Sequence, residues 1–458
     1  MKTVVITISR GSIAYNLLNN DFYRILREQY KIIILTSAYN DERFLNEFSH
    51  PNTTFLPFDE SGLSFLERLV FFFHKHLIYN STVNQKSRWG IIGDPRSKRP
   101  WYLGHILRKV IFVPLSKLRF LRDLLRVLDY RFLQVSEVSK FRDLLTQHKA
   151  DLVISTFVNG NSEAALIKAA KKEGIKSIGF PKSWDNLSKH GLRAKPDLLV
   201  VWNDFMREQA VDFDNYSNDE IEVVGVPQFD NYIDTSILMS REEFCNLYKL
   251  DSSKKIILFG SEGKLFPTDT AIADILSDSI KRWDAQLLIR PHYGYKNDEV
   301  KFKDSLKKMD VQVDLVNNPS SNLRDAWDYS EEFASRFRNC LHHADVLINT
   351  ASTLSIDAIA FDTPVINVAF DGRNKLPYKK SIARWYETHY YQRVLSYQAT
   401  TVVHSDLELT EAIDTYFVDP THRSENREKF RNDLTFALDG KAGERFANIV
   451  CSVFSKHV

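Results

Sequence analysis

Between Ala344 and Ile366 the apolar run Val346-Leu347-Ile348 passes into small and hydroxyl-bearing residues, Asn349-Thr350-Ala351-Ser352-Thr353. A helical pattern carrying Asp357 follows. A helix that opens at Ser352 or Thr353 aims unpaired backbone N–H groups and the positive end of its dipole at an anion, with the hydroxyls as further donors. Asp357, one turn further in, is placed to accept hydrogen bonds from a ribose. Ser and Thr are also ordinary helix caps, so each residue alone has a purely structural explanation. The assembled pattern favours a nucleotide.

Other groups fit the same chemistry. The run Leu287-Leu288-Ile289 ends in Arg290-Pro291-His292, and parallel α/β sheets bind ligands at the carboxyl ends of their strands. Arg290 can make paired hydrogen bonds to phosphate and His292 can donate a hydrogen bond or a proton to it; a surface arginine and a turn histidine are the plainer alternative. Ile256–Phe259 runs into Gly260-Ser261-Glu262-Gly263-Lys264, where Ser261, Gly263 and Lys264 are phosphate-loop candidates. Gly11, in the first turn Ser9-Arg10-Gly11-Ser12, is another. The loop Phe180–Gly191 packs Trp184, Asp185, Asn186 and His190 together, a density that suits an active-site loop. Asp185 is the preferred general base and His190 the second; the competing explanation is a helix cap anchored by Trp184.

The segment Ala344–Ile366 resembles the GT-B glycosyltransferases that use nucleotide sugars and their relatives, the CDP-glycerol glycerophosphotransferases and UDP-N-acetylglucosamine 2-epimerases. These carry a small, hydroxyl-rich loop and a carboxylate seven residues before the proline that starts the next strand, as Asp357 stands before Pro364. Here Phe361-Asp362-Thr363-Pro364 lacks the usual glycine, and Asp replaces the commoner Glu. Val223–Asp230 is similar to the Val-x-Gly-x-Pro-x-x-Asp end of the first domain in these families. The resemblance implies two Rossmann-like domains facing across a cleft, a nucleotide-sugar donor held by the second, and a glycan or lipid-linked acceptor on the first. It leaves open a CDP-glycerol-type transfer, a UDP-sugar 2-epimerase, and a nucleotide-binding protein without turnover.

Strand-like runs alternate with helical patterns twice along the chain, which predicts an α/β protein with parallel sheets. The domains expected are 1–235 for the acceptor, 236–435 for the donor, and 436–458 as a closing helix returning to the first. A helical insertion at about 61–143 interrupts the first. One helical stretch with Leu18, Phe22, Ile25 and Leu26 on a common face is expected after the first turn.

The 458 residues are 43% hydrophobic and 26% charged, which fits neither a disordered chain nor a membrane-embedded bundle. A net charge of +2 gives no global reason to expect nucleic acid. Three separated cysteines form no metal or redox pair, no HExxH, Walker A or GxSxG pattern is present, and no clear DxD motif implies an obligatory divalent metal, so no cofactor and no metal are expected. A cytoplasmic protein is expected, peripheral at the inner face of the plasma membrane if it meets one. Arg96–Arg131 concentrates ten Lys and Arg against two Asp, with Leu118, Leu121, Leu125, Leu128 and Phe132 in a helical stripe and Arg122 and Arg126 on another face. The stripe suits an anionic lipid surface over nucleic acid; charges merely solvated around a packed stripe are the alternative.

Overall fold

A computed structural model describes residues 1–60, 62–90, 102–263, 268–292, 294–295, 297–314, 323, 325, 327–373 and 375–455. Lys264 and the stretch from Arg96 to Trp101 lie outside them. Two parallel sheets make the α/β, two-domain GT-B fold expected above. The first comprises β1 (Thr3–Thr7), β2 (Lys31–Thr36), β3 (Thr53–Pro57), β4 (Leu152–Ser155), β5 (Lys176–Gly179), β6 (Leu198–Val201) and β7 (Ile221–Val223), in the order β3-β2-β1-β4-β5-β6-β7. The second comprises β8 (Lys255–Gly260), β9 (Ala285–Arg290), β10 (Val311–Val313), β11 (Val346–Asn349), β12 (Val365–Val368) and β13 (Thr401–Val403), in the order β10-β9-β8-β11-β12-β13. Their central strands are buried along their whole length, because helices cover both faces; this is why they read as unbroken apolar runs.

In each sheet the strand order reverses beside its first strand, at β1/β4 and at β8/β11. Loops on either side of such a switch point leave a crevice at the carboxyl ends of the strands.

The first domain carries α1 (Gly11–Leu18), α2 (Asp21–Gln29), α3 (Glu42–Phe48), α4 (Phe65–His76), α5 (Ser81–Trp89), α6 (Tyr102–Ser116), α7 (Arg119–Phe132), α8 (Val135–Gln147), α9 (Asn161–Lys172) and α10 (Asp204–Asp214). The single helix expected over Leu18–Leu26 is two helices, because the chain breaks at Asn19-Asn20 and the Asn20 side chain caps α2 by accepting from the Phe22 N–H at 3.0 Å.

The second domain carries α11 (Arg241–Tyr248), α12 (Thr268–Ser279), α13 (Glu331–His343), α14 (Leu354–Ala360), α15 (His389–Ser396), α16 (Asp406–Val418) and α17 (Ser424–Leu434). The last helix, α18 (Ala442–Ser455), packs on the first domain: Phe446 stacks on Phe22 at 4.3 Å and on Phe180 at 5.0 Å between ring centres. Its first N–H groups, from Ala442 and Gly443, donate to the Asp230 carboxylate at 2.8 and 2.7 Å, pinning it to the segment that joins the two sheets. No helix among the described residues is long and apolar enough to cross a membrane.

Candidate active site

The first wall of the crevice is built from the loops after β1, β4 and β5. Beneath it, Glu163 at the start of α9 accepts from Ser155 Oγ at 2.7 Å and Thr7 Oγ1 at 2.8 Å, tying the ends of β4 and β1 together. Burial pushes this carboxyl up to about 7 against the pull of those hydroxyls and of Arg10. An unfolded chain releases this proton near 4.5 and the folded one only near 7, so stability falls as pH rises through that window. Glu163→Gln removes the titration. Its stability relative to the parent should rise by about 1–3 kcal/mol between pH 5 and pH 8, read by urea unfolding at both; a difference that does not change with pH would contradict the assignment.

Asp185 lies in the β5 loop. Its Oδ1 accepts from Ser183 Oγ at 2.7 Å and its Oδ2 pairs with Lys189 Nζ at 2.6 Å. Burial would raise this carboxyl, but Lys189, Ser183 and Lys86 outweigh it and hold it at about 2. The same wall carries Lys86 and Lys182, each lowered to about 8, first by burial and then by the neighbouring charges of Lys189 and Arg10 respectively. His190 is lowered to about 4 by burial, so it is neutral at pH 7. Its Nδ1 donates to the Gly191 carbonyl at 3.1 Å, which leaves the lone pair on Nε2.

Gly11 opens α1 where a Cβ would fall 2.2 Å from the Trp327 carbonyl oxygen, so only glycine fits against the second domain. Its N–H and the Ser12 hydroxyl donate to the two oxygens of Asp325 at 2.7 and 2.8 Å. A carboxylate of the second domain thus occupies the first turn.

On the second wall, Ser261 Oγ lies 2.7 Å from both Asp269 and Asp298 and accepts from Lys301 at 2.9 Å. It also accepts from the Gly263 N–H at 2.9 Å. Gly263 has φ +90°, and a Cβ there would sit 2.3 Å from the Tyr295 ring. The His292 N–H donates to Asp298 at 2.9 Å, while its Nδ1 accepts from the Gly294 N–H at 3.1 Å. Burial lowers its pKa, so the neutral ring carries its proton on Nε2 as a donor. Lys182, on the opposite wall, is close enough to lower it further. Ser352 Oγ accepts from the Leu354 N–H at 3.3 Å at the head of α14, beside Thr353.

Glu262 is the residue that sequence reasoning passed over, although it stands one position beyond Ser261 at the carboxyl end of β8. Burial, then the neighbouring Asp269 carboxylate, pushes it up to about 7 while the Ser352 and Thr350 hydroxyls pull the other way. The Tyr390 phenol senses both Asp185 and Glu262, each of which raises its pKa in addition to burial. An ionised carboxylate on one wall and a carboxyl poised near neutrality on the other therefore act electrostatically on the same phenol.

Arg290 and Asp357 sit deeper. The Arg290 guanidinium pairs with Asp314 and lies 4.4 Å from the Phe337 ring centre, with 3% of the residue exposed. Asp357 accepts from Tyr232 Oη at 2.8 Å and Gln228 Nε2 at 3.1 Å, both in the joining segment, and burial pushes it up to about 7. Asp185 and His190 thus share one wall and Ser261, Gly263, His292, Ser352 and Thr353 the other, with Arg290 against Phe337 of α13 and Asp357, on α14, bonded to the joining segment. Among the described residues no three of His, Cys, Asp and Glu converge as they would around a metal ion.

No protein-family model and no curated relative matches the sequence. Solved structures share the fold along nearly the whole chain. A glycosyltransferase from Rickettsia africae ESF-5 superimposes with TM-score 0.52 at 13% identity, covering 98% of each chain. The UDP-GlcNAc 2-epimerase from Neisseria meningitidis, bound to UDP-GlcNAc, does so with TM-score 0.55 at 12% identity over 99% of this chain and all of its own. The wall teichoic acid polymerase TagF matches with TM-score 0.51 at 11% identity over the full chain and 90% of its own length. At such identities the likeness is one of fold.

Proposed function

We propose that the chain is a glycosyltransferase that moves a sugar from a nucleotide-sugar donor to a surface-polysaccharide or lipid-linked acceptor. The observation that carries this is that Glu262, poised near pH 7, and Asp185, held ionised, both act on Tyr390 in a crevice whose first wall is rich in lysine. The neighbour that holds UDP-GlcNAc in the same fold supports a nucleotide sugar as donor. The nucleotide lies along the second wall, near Ser352 and Thr353. Lys86 and Lys182 face the diphosphate and His292 donates to it through Nε2. The bond from sugar to diphosphate breaks as the acceptor oxygen bonds to the sugar, and the acceptor's proton passes to Glu262. A general base works best with a pKa near the working pH, which favours Glu262 over Asp185; Asp185 orients Lys189 and the sugar. Lysines offset the charge of the departing diphosphate and the neutral histidine hydrogen-bonds to it, which requires no metal.

The Glu262/Asp185 pair also suits a second reading, a UDP-sugar 2-epimerase, which needs acid and base around one sugar and no acceptor. One panel separates the readings: the protein with UDP-, GDP-, CMP- and CDP-linked donors, with and without glycan acceptors, followed by nucleotide release and by protection against thermal unfolding. Acceptor-dependent release of a nucleoside diphosphate is the expected result. Release of CMP from CDP-glycerol would replace the sugar by glycerol phosphate, a 2-epimer formed without acceptor would make the chain an isomerase, and protection without turnover would make it a binding protein.

A further inference from the structure

The helical insertion exposes far more apolar surface than its own packing uses. Among the described residues, sixteen of the twenty-six exposed large hydrophobic side chains fall between Phe65 and Val135. Helices α4, α6 and α7 pack together through Phe112, Leu115, Leu121 and Leu125, so that inner face is satisfied. The outer faces carry a second apolar set, with Phe65 78%, Val110 66% and Phe120 61% exposed. A patch of this density marks a contact with something apolar.

Charge tells what that contact is. Arg122 and Arg126, which the sequence places on a face apart from the apolar stripe, are turned inward. Arg122 donates to the carbonyls of Leu77 at 3.2 Å and Ser116 at 2.7 Å, and Arg126 pairs with the buried Asp214 at 2.8 Å. The outward positive charge lies elsewhere, at a pocket of about 660 Å³ between α7 and α9. Arg131, Lys171 and Lys172 line it and make no ion pair among the described residues, whereas the buried cations behind them are matched by Asp129 and Asp214. Lys171 and Lys172 stand 5.7 and 5.5 Å from the Tyr130 ring centre. Val127, 57% exposed, belongs both to this pocket and to the outer row Phe120, Leu124, Val127 and Arg131 along α7. A basic pocket thus opens at the edge of an apolar helix face.

We infer that this face docks on an anionic phospholipid bilayer, with α4, α6 and α7 lying in the interface and the α7/α9 pocket taking a lipid headgroup phosphate. Apolar side chains enter the acyl boundary while Lys171, Lys172 and Arg131 meet the negative headgroups. The longest of these helices, α6, has 15 residues and is about 22 Å long, short of the hydrocarbon core, so the insertion lies on the membrane and does not span it. The exposed helix faces and the α7/α9 pocket play no part in the donor reading, so this inference stands whether or not that reading holds.

The test is co-sedimentation of the full chain with vesicles of phosphatidylcholine alone and of phosphatidylcholine with one part in three phosphatidylglycerol. Binding to the anionic vesicles only is expected, weakened at high salt. Each basic residue near an anionic leaflet contributes about fivefold, so Arg131→Gln, Lys171→Gln and Lys172→Gln together should weaken binding about a hundredfold, with nucleotide protection in the crevice unchanged. Phe120→Asp should also weaken it with every cation in place. Equal binding to neutral vesicles, full binding by the triple variant, or self-association in place of vesicle binding would each overturn the inference. Loss of nucleotide protection in the parent chain would instead count against the crevice reading alone.

Discussion

Glu262→Gln is expected to cut turnover by about 10²–10⁴ while the donor nucleotide still protects the protein against thermal unfolding. The amide keeps the size of the side chain and its contact with the Ser352 and Thr350 hydroxyls but can no longer exchange a proton. In the parent, the carboxyl near 7 should appear as one limb of the pH dependence of kcat/KM, and the variant should lose that limb. Instability cannot imitate the result. The carboxyl releases its proton near 4.5 when unfolded and near 7 when folded, so its ionisation costs stability above that window, and the neutral amide should fold at least as well as the parent at pH 8. Asp185→Asn is the comparison: a group already ionised near 2 contributes no limb near neutrality, so its loss should lower the rate without reshaping the profile. Activity within threefold of the parent in Glu262→Gln would remove that residue from the reacting centre.

The sequence shows where the crevice is more readily than which groups work in it. Buried parallel strands announce themselves as apolar runs, so the residue order alone places Val346–Ile348 and Leu287–Ile289 in a sheet and the polar residues after them at its carboxyl end. The edge strand β3 has partly exposed positions and ends in Pro57, which breaks the run that betrays a central strand. The helix break at Asn19-Asn20 is a local signal too, since two consecutive Asn residues favour a cap, yet the apolar spacing on either side masks it. Glu262 was hidden for another reason. Its proton affinity is raised by burial and by Asp269 nearby and trimmed by the Ser352 and Thr350 hydroxyls some ninety residues away, and no spacing rule brings these together. Long-range pairing also decides what a charged residue is for. Arg122 and Arg126 look like one basic face in sequence, but their partners, the Ser116 carbonyl and Asp214, draw them into the protein.

The largest loss of stability is expected from Asp129→Asn. Asp129 is fully buried on α7 and meets three elements: Lys168 of α9, Arg193 through two hydrogen bonds at 2.8 and 3.0 Å, and His74 of α4, whose Nε2 is 3.3 Å away. Burial opposes its charge, but His74, Arg193 and Lys168 together hold the carboxyl well below the usual range. The amide keeps one acceptor oxygen but no charge, so Lys168 is left with only neutral partners, Gln134 Oε1 at 2.8 Å among them, and Arg193 with a single carboxylate, Glu67, at 3.3 Å. Uncompensated buried charge of this kind costs about 3–5 kcal/mol, which urea unfolding at pH 7 would read directly. The pH dependence follows from the lowered pKa: the carboxylate's contribution is complete above the unfolded value of 3.8 and is lost as pH falls through the folded one, so the difference between parent and variant should shrink in acid. Adding Lys168→Met should restore part of the loss, because it removes the stranded cation. A cost below about 1 kcal/mol would show that the network does not lock the insertion. Asp129 holds α7 from within while Phe120, Leu124 and Val127 face outward, so the variant should also lose vesicle binding under conditions where the two sheets remain folded.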